Sequence, residues 1–525
     1  MLSLHFLPIP GAVNRWVRAF LIFIYLCPVG LKSLFSRPFA AYISRKVKNS
    51  AKNALLCQEE IMLGLVKDAQ FTLFGKDHHF AEINNYGSFK KNIPVRDYEG
   101  LKIYIDKVVA GESDILWKGK PLYLAKTSGT TSGVKYIPLT KESIPNHINS
   151  ARNALLMYIH ETGNTSFING KMIFLQGSPV LTEKAGINVG RLSGIVYHFV
   201  PAYLLKNRMP SFDVNCIEDW ETKVEAITKE TISKKMSLIS GIPPWVLMYF
   251  EKLLEISGKQ KIKDIFPDFS LFVYGGVNYE PYRTKIESIV GKKIDTIETY
   301  PASEGFIAYQ DSQKEHGLLL NVDSGIFFEF IPAGEIFEED PTRLSLKNVE
   351  LEVNYALILN NNAGLWGYNI GDTIKFVSKD PYRIVVTGRI KHFISAFGEH
   401  VIGEEVEFAM MKAAEELKVE FVEFTVAPQV NPESGIPYHE WFVEFSAPLV
   451  ELDAFATKID VYLQQKNIYY KDLIAGKILR PLLITVVKPE GFKNYMRSIG
   501  KLGGQNKVAR LSNDRNIADE LKQWT

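Results

Sequence analysis

The chain has 525 residues, enough for roughly two to four domains, and its 46% hydrophobic and 23% charged residues are typical of a globular protein. A net charge of +2, without a basic stripe interleaved with aromatic residues, argues against nucleic acid as a partner. Cys27, Cys57 and Cys216 are too few and too scattered for a disulfide framework or a zinc site. The composition therefore predicts a cytoplasmic protein.

The first 58 residues differ from the rest because they contain eight Lys or Arg and no Asp or Glu. Within them, residues 19–31 are uncharged and mostly apolar, but this run is shorter than the ~20 residues that span a bilayer. A signal peptide would need a small-residue cleavage site, and none is clear. The alternatives are a helix packed on the core, a peripheral membrane contact through residues 1–52, and a start codon assigned too early. Apolar residues at helical spacing then predict a helix from Ser50 to Phe71.

The most distinctive stretch is KTSGTTSGVK, residues 126–135, which lies between two apolar, strand-like runs. Its glycines allow close approach of the backbone, and its N–H groups and hydroxyls suit the oxygens of a polyphosphate. It is not a Walker A loop, because Gly129 and Gly133 are four residues apart and a strand follows instead of a helix. A phosphate-binding loop and an ordinary polar hairpin are the two interpretations.

A strand–helix–strand pattern occupies residues 271–299 and predicts a parallel crossover unit. Its first strand ends at Gly275 and Gly276, and the second leads into TYPASEG, residues 299–305. Both strands should end at the same sheet edge, where open α/β sheets bind ligands. At that edge Tyr300 could lie against a base and Glu304 could hold a metal ion.

The remaining pattern predicts a β section and then a small α+β domain. Five β runs between residues 317 and 386, separated by turn residues, predict a barrel or sheet. Asp372 stands at the start of one run, where its carboxylate could accept both hydroxyls of a ribose; an ordinary turn aspartate is the alternative. The small domain is predicted from five further elements: helix 404–417, strands 420–426 and 441–445, helix 454–465 and strand 482–487.

In this order, TSGTTSGVK, YGGV, TYPASEG, LWGYNIGD, GRIKHF and GQNKVAR resemble the adenylate-forming superfamily. More closely, the chain resembles a bacterial-type member of its GH3 branch of acyl-acid amido synthetases, to which PPWVLMYFEKL, VYGGVNYEPYR and FFEFIP are also similar. The resemblance implies a large α/β domain, with parallel sheets and a β-barrel-like section, and a small mobile α+β lid domain. The predicted bounds are 1–35 for a basic, apolar extension, 36–388 for the large domain and 389–525 for the small one.

The resemblance implies an ATP-dependent ligase with ATP and Mg²⁺ as cofactors. It would adenylate a carboxylic acid, release pyrophosphate and transfer the acyl group to an amine, usually that of an amino acid. We expect a monomer. The alternatives are a ligase of the same superfamily that forms a CoA or other thioester, and a nucleotide-binding protein without turnover.

Carried over position by position, the resemblance assigns a nucleotide site. The implied phosphate and nucleoside contacts are Ser128, Gly129, Thr130, Thr131, Ser132, Gly275, Gly276, Tyr300, Ser303, Asp372 and Arg389. Glu304 is the implied Mg²⁺ ligand, and Lys507 is the lysine that stabilises charge during adenylation once the small domain closes. Asn369 departs from the plant pattern before Asp372, and Ala509 replaces a proline after Lys507, so plant-type substrates are not implied. The acyl and amine sites fall in residues 140–250.

Overall fold

A computed structural model describes residues 29–128, 134–199, 207–276, 279–390, 393–394, 399, 401–448, 451–475, 478–503, 507–512 and 514–525. Its α-helices are α1 Val29–Lys52, α2 Ala54–Ala69, α3 Leu73–Asp77, α4 Tyr86–Asn92, α5 Tyr98–Val109, α6 Ile144–Thr162, α7 Leu192–Tyr197, α8 Phe212–Cys216, α9 Trp220–Thr231, α10 Pro243–Ser257, α11 Glu280–Val290, α12 Gly403–Leu417, α13 Leu452–Lys466, α14 Ile468–Ala475, α15 Gly491–Ser498 and α16 Asn516–Leu521. Short 3₁₀ helices cover Phe80–Glu82, Ser166–Asn169, Ile262–Asp264, Ala333–Glu335, Leu346–Asn348 and Lys522–Trp524.

The strands are β1 Tyr123–Ser128, β2 Val134–Leu139, β3 Lys171–Phe174, β4 Thr182–Lys184, β5 Ile187–Gly190, β6 Arg208–Met209, β7 Met236–Ser240, β8 Leu271–Gly275, β9 Asp295–Ala302, β10 Gly305–Tyr309, β11 Leu318–Leu320, β12 Ile326–Pro332, β13 Leu344–Ser345, β14 Asn354–Asn361, β15 Tyr368–Lys379, β16 Tyr382–Arg389, β17 Phe393–Ile394, β18 Val401–Ile402, β19 Phe421–Gln429, β20 Tyr438–Phe445 and β21 Leu483–Val487.

A twelve-stranded sheet forms the centre of the molecule, in the order β13-β12-β14-β15-β16-β11-β10-β9-β8-β7-β3-β6. From β6 to β9 the neighbouring strands are parallel, and α11 connects β8 to β9 as the crossover pattern predicts. The antiparallel β section continues this sheet through β16, β11 and β10 and does not close into a separate barrel. The predicted α/β class with a small α+β C-terminal domain is confirmed.

The parallel strands are apolar along their length because both faces of the sheet are covered. Side chains alternate between faces. In the core on one side, Met172, Leu238 and Leu271 pack with α1 and α6. In the core on the other side, Ile173 and Ile239 pack with α9, α10 and α11.

A smaller sheet carries the Ser/Thr/Gly loop. Its order is β2-β1-β5-β4, with β1 and β2 antiparallel and β5 parallel to β1. Leu124, Ala125 and Ile137 anchor it in a separate core with α2 to α5. The predicted phosphate contacts Gly129, Thr130, Thr131 and Ser132 lie outside the described residues, and Ser128 is the last residue of β1.

The basic N-terminal segment is helical from Val29 onward and packs on the large domain. Ala40, Ile43 and Ser44 of α1 are buried, the first two in the core that includes α6. The predicted helix 50–71 is two helices that meet at Asn53. Residues 36–52 therefore fit the packed-helix interpretation of this segment. No helix among the described residues combines the length and apolar content that crossing a bilayer requires.

The C-terminal part contains the predicted α+β elements, with end points shifted by a few residues. Strands β19, β20 and β21 form one sheet, and α12 and α13 pack together on it around Phe424, Trp441 and Phe455. The helices α14, α15 and α16 were not predicted, and α15 and α16 form a second, smaller core with Val487.

Candidate active site

The predicted sheet edge brings β8 and β9 close together. A side chain on Gly275 would overlap the backbone oxygen of Thr299, and the Thr299 hydroxyl donates to the Tyr274 carbonyl at 2.8 Å. Gly276 follows with φ +77°, a conformation that residues with a Cβ rarely adopt. These two glycines therefore leave bare backbone at the edge, where a flat group could approach.

Ser303 and Glu304 lie in a tight hairpin turn rather than in a loop at the end of β9. Ala302 pairs with Gly305, so β9 and β10 are antiparallel neighbours. The turn is held from two sides: Asn361 Nδ2 donates to the Glu304 carbonyl at 2.7 Å, and the Phe306 N–H donates to Asn146 Oδ1 at 2.6 Å. The Glu304 side chain is thus placed by a rigid backbone.

The Glu304 carboxylate lies among other charged groups. Burial raises its pKa and the charge of Asp372 adds to that rise, while Arg389 and Lys135 oppose it. Its carboxylate accepts a long bond from the Tyr368 hydroxyl at 3.4 Å, and a hydrogen bond from its own backbone N–H also favours the charged form. A cation beside this buried carboxylate would stabilise the charged form further.

Asp372 and Arg389 form an ion pair that the strand register produces. They are direct cross-strand neighbours in the antiparallel pair β15–β16, and Arg389 Nε donates to Asp372 Oδ1 at 2.8 Å. The Tyr300 hydroxyl donates to the other oxygen, Oδ2, at 2.6 Å. Burial raises the pKa of Tyr300 well above its usual value, so this hydroxyl stays a donor. Asp372 lies inside β15 rather than at its start.

Lys507 of the small domain reaches this edge. Its Nζ lies 3.1 Å from the position that a Cβ on Gly276 would occupy. Burial of the ammonium and the nearby Arg389 guanidinium lower its pKa to about 8, with Asp372 opposing. The lysine nevertheless keeps solvent-exposed surface. The C-terminal part of the chain therefore places the Lys507 ammonium beside Gly276.

Further contacts hold the small domain against the large one. Gly503 lies so close to the Trp220 ring that a side chain there would overlap it. Arg497 Nη2 of α15 donates to Glu221 Oε1 of α9 at 2.7 Å. In a separate contact, the Tyr282 hydroxyl of α11 donates to Glu423 Oε2 of β19 at 2.9 Å. Each contact joins a residue of the large sheet's helices to a residue of the C-terminal part.

The site thus gathers most of its predicted residues in one place. Gly275, Gly276, Tyr300, Ser303, Glu304, Asp372, Arg389 and Lys507 lie at or next to one edge of the large sheet. Tyr300 is buried with its hydroxyl on Asp372, so it supports the aspartate as well as lining the edge. Sequence reasoning missed Lys135, Tyr368 and Asn361. Two of them had a signal in the sequence, because Lys135 closes the Ser/Thr/Gly stretch and Tyr368 belongs to the LWGYNIGD motif.

Solved structures with a similar fold include an acyl acid amido synthetase and a CoA ligase. The structure of the GH3.15 acyl acid amido synthetase superposes with a TM-score of 0.75 at 16% identity, covering 92% of this chain and 96% of that one. The 2-hydroxyisobutyryl-CoA ligase in its postadenylation state superposes with a TM-score of 0.54 at 12% identity, covering 100% and 97%. The fold is that of adenylate-forming ligases, and it is more similar to the amido synthetase than to the CoA ligase.

Three family models match in sequence order: the GH3 family N-terminal domain over residues 43–215, the central domain over 319–389 and the C-terminal domain over 404–516. The chain is also 23% identical to the jasmonoyl–L-amino acid synthetase GH3.5 of Oryza sativa subsp. japonica, over 82% of this chain and 87% of that protein. The chain belongs to the GH3 family, as the sequence predicts.

Proposed function

We propose that the protein is an ATP-dependent ligase that adenylates a carboxylic acid and transfers the acyl group to an amine, with amino acids as the acceptor class. The observation that carries this proposal is the position of Lys507 over Gly276, beside the Asp372–Arg389 pair and the Glu304 turn. The GH3 membership of the chain supports the same reaction.

The reaction overcomes the inertness of a carboxylate toward amines. In the first step a carboxylate oxygen attacks the α-phosphorus of ATP, and the bond to pyrophosphate breaks. In the second, the amine nitrogen attacks the carbonyl carbon, and AMP leaves with the electron pair of the C–O bond while the nitrogen loses a proton. Activation removes the negative charge that shields the carbonyl carbon and supplies a stabilised leaving group.

The Asp372 carboxylate suits the ribose of the nucleotide. Each of its oxygens accepts one hydrogen bond in the structure, from Arg389 or from Tyr300, and each keeps a lone pair for a ribose hydroxyl. The Arg389 side chain is 57% exposed, so its remaining N–H groups are accessible and can donate to phosphate oxygens.

Glu304 and Lys507 would act on the charge of the phosphates. Hard carboxylate oxygen suits Mg²⁺, which is commonly held by one or two carboxylates together with nucleotide phosphates. No group of three acidic, His or Cys ligands is gathered among the described residues, so the phosphates would complete the ion's shell beside Glu304. Bound Mg²⁺ would neutralise phosphate charge, and the Lys507 ammonium would stabilise charge that develops at the α-phosphate.

The direct test is pyrophosphate release with ATP, Mg²⁺ and a panel of carboxylic acids, followed by mass spectrometry of products formed with amino acids or with CoA. Amides support the proposal, and CoA thioesters support the related ligase instead. Asp372→Asn should abolish most of the release. Asp340→Asn, which alters an exposed aspartate of the large domain, is the matched control. Release that is unchanged in Asp372→Asn would contradict the proposed nucleotide site.

A further inference from the structure

Arg510 is the centre of a buried polar cluster, three residues after Lys507. Its side chain is 11% exposed, and its Nε donates to Glu407 Oε1 of α12 at 3.1 Å. Its Nη1 donates to the Glu423 carboxylate of β19 and to the Phe424 carbonyl. Both glutamate side chains are themselves only 14% exposed. Arg510 is therefore fixed within the small domain by two buried ion pairs.

Another nitrogen of the Arg510 guanidinium reaches the large domain. Its Nη2 donates to the Tyr282 hydroxyl of α11 at 3.1 Å, and that hydroxyl donates in turn to Glu423 Oε2 at 2.9 Å. Burial and the negative charge of Glu423 raise the pKa of Tyr282, so its hydroxyl keeps the proton that it donates. The tyrosine is itself buried, and the guanidinium carbon lies 5.9 Å from its ring centroid. One hydroxyl of the large domain thus bonds both a cation and an anion of the small domain.

The stretch that carries Lys507 is fastened to the small domain by its backbone. The Val426 N–H donates to the Arg510 carbonyl at 2.9 Å, and the Val426 carbonyl accepts from the Ser512 N–H at 3.0 Å. Leu511, which pairs with Val426 as in a parallel sheet, is fully buried in the core of this domain. Lys507 precedes Arg510 by three residues, and three residues of chain span at most about 11 Å. The position of Arg510 therefore limits where the backbone of Lys507 can lie.

Both contacts of this stretch fall on one connection of the large sheet. The Lys507 ammonium lies beside Gly276, which directly follows β8. Tyr282, the partner of Arg510, lies in the first turn of α11, six residues further along the chain. The same stretch of the small domain therefore meets the reaction edge at two points. One point is the lysine itself, and the other is the buried cluster around Arg510.

We propose that the Tyr282 hydroxyl is a positioning group for adenylation: acting through Arg510, it holds the Lys507 ammonium beside Gly276. The ion pairs of Arg510 lie within the small domain and do not need this hydroxyl. The bond to Tyr282 joins the two domains, so its loss acts on their mutual placement rather than on the core of either. The inference rests on the proposed ligase function for the step that Lys507 serves.

Tyr282→Phe removes the hydroxyl and keeps the ring. Hydrogen bonds to charged groups are among the strong ones, so kcat/KM for pyrophosphate release should fall about 10- to 100-fold. Transfer of the acyl group from chemically made acyl adenylate to the amine should stay within about twofold of wild type, because Lys507 serves the first half-reaction. Tyr158→Phe is the matched control, since it removes another buried hydroxyl that donates to a carboxylate, that of Asp295 at 2.6 Å. Asp295 begins β9 at the end remote from the reaction edge, so this control should keep the wild-type rate.

A double variant tests whether the Tyr282 hydroxyl acts through Lys507. In Lys507→Ala the ammonium is already absent, so adding Tyr282→Phe should lower the release rate at most about twofold further. A further loss as large as in the wild-type background would overturn the proposal. An unchanged release rate in Tyr282→Phe alone would also overturn it, as would equal losses in both half-reactions, which indicate a general effect on the fold.

The titration of Lys507 gives a readout that needs no turnover. Competitive labelling of the lysine amines, followed by mass spectrometry of the peptides, measures the pH at which Lys507 loses its proton. That midpoint should lie at about 8 in the wild type, where burial and Arg389 lower the pKa, and should rise toward the ordinary value of about 10.4 in Tyr282→Phe. An unchanged midpoint in the variant would overturn the role of Tyr282 even if no acid supports pyrophosphate release. A raised midpoint without any release would support the role of Tyr282 and contradict the ligase function alone.

Discussion

Raising the pH through 8 should slow adenylation by deprotonating Lys507. Burial and the Arg389 guanidinium lower the pKa of Lys507 to about 8, whereas an ordinary lysine stays charged to above pH 10. The charged form is the one that can stabilise negative charge on the phosphates. At pH 9.5 about 3% of a group with that pKa is protonated, so the rate should fall about 30-fold from its value near pH 7.

The assay is kcat/KM for ATP in pyrophosphate release between pH 7 and 9.5, because this parameter reports the pKa values of the free enzyme. Lys223 could produce the same pH dependence, because burial lowers its pKa to about 8 as well. Lys507→Arg separates the two, because an arginine at position 507 stays protonated over this range. The decline should vanish in Lys507→Arg whatever its absolute rate. An identical decline in that variant would refute the assignment to Lys507.

Three further predictions concern other parts of the account. Glu304→Gln keeps size and hydrogen bonding but removes the charge, so pyrophosphate release should fall sharply; a wild-type rate at limiting Mg²⁺ would exclude metal ligation. Burial lowers the pKa of His147 to about 4, so the unfolded chain binds its proton first and stability falls as the pH drops from about 6.5 toward 4. That loss is about 2 kcal/mol between pH 7 and 5, and urea unfolding of His147→Gln should show it removed. Glu221→Gln removes an exposed ion pair between α9 and Arg497 of α15, so it should slow release at most about fivefold; a greater loss would give this pair a larger part in holding the two domains together.

Apolar spacing and turn residues in the sequence were enough to predict the individual strands and helices of the crossover unit and of the small domain. The crossover from β8 through α11 to β9 follows from apolar runs of strand and helix length, and the five predicted elements of the small domain were found with shifted ends. The family motifs also placed Glu304 and Lys507 at one site. The break at Asn53 was missed because apolar spacing continues through it, and no Gly or Pro marks the junction of α1 and α2.

Long-range features could not be predicted in this way. The Asp372–Arg389 pair depends on the register of β15 and β16, which two irregularities in the ladder shift. The contact of Lys507 with Gly276 depends on how the small domain meets the large one, which no local pattern specifies.

The most direct test of the central claim measures the two half-reactions of Lys507→Ala separately. Lys507 lies at the sheet edge beside Gly276, so pyrophosphate release from acid and ATP should fall by about 10²–10³. Given chemically made acyl adenylate, the same variant should transfer the acyl group to its amine at a near-normal rate, because we propose that the small domain rotates for that step and moves Lys507 away. Equal losses in both half-reactions would mean that Lys507 supports the fold, and would contradict its role in adenylation.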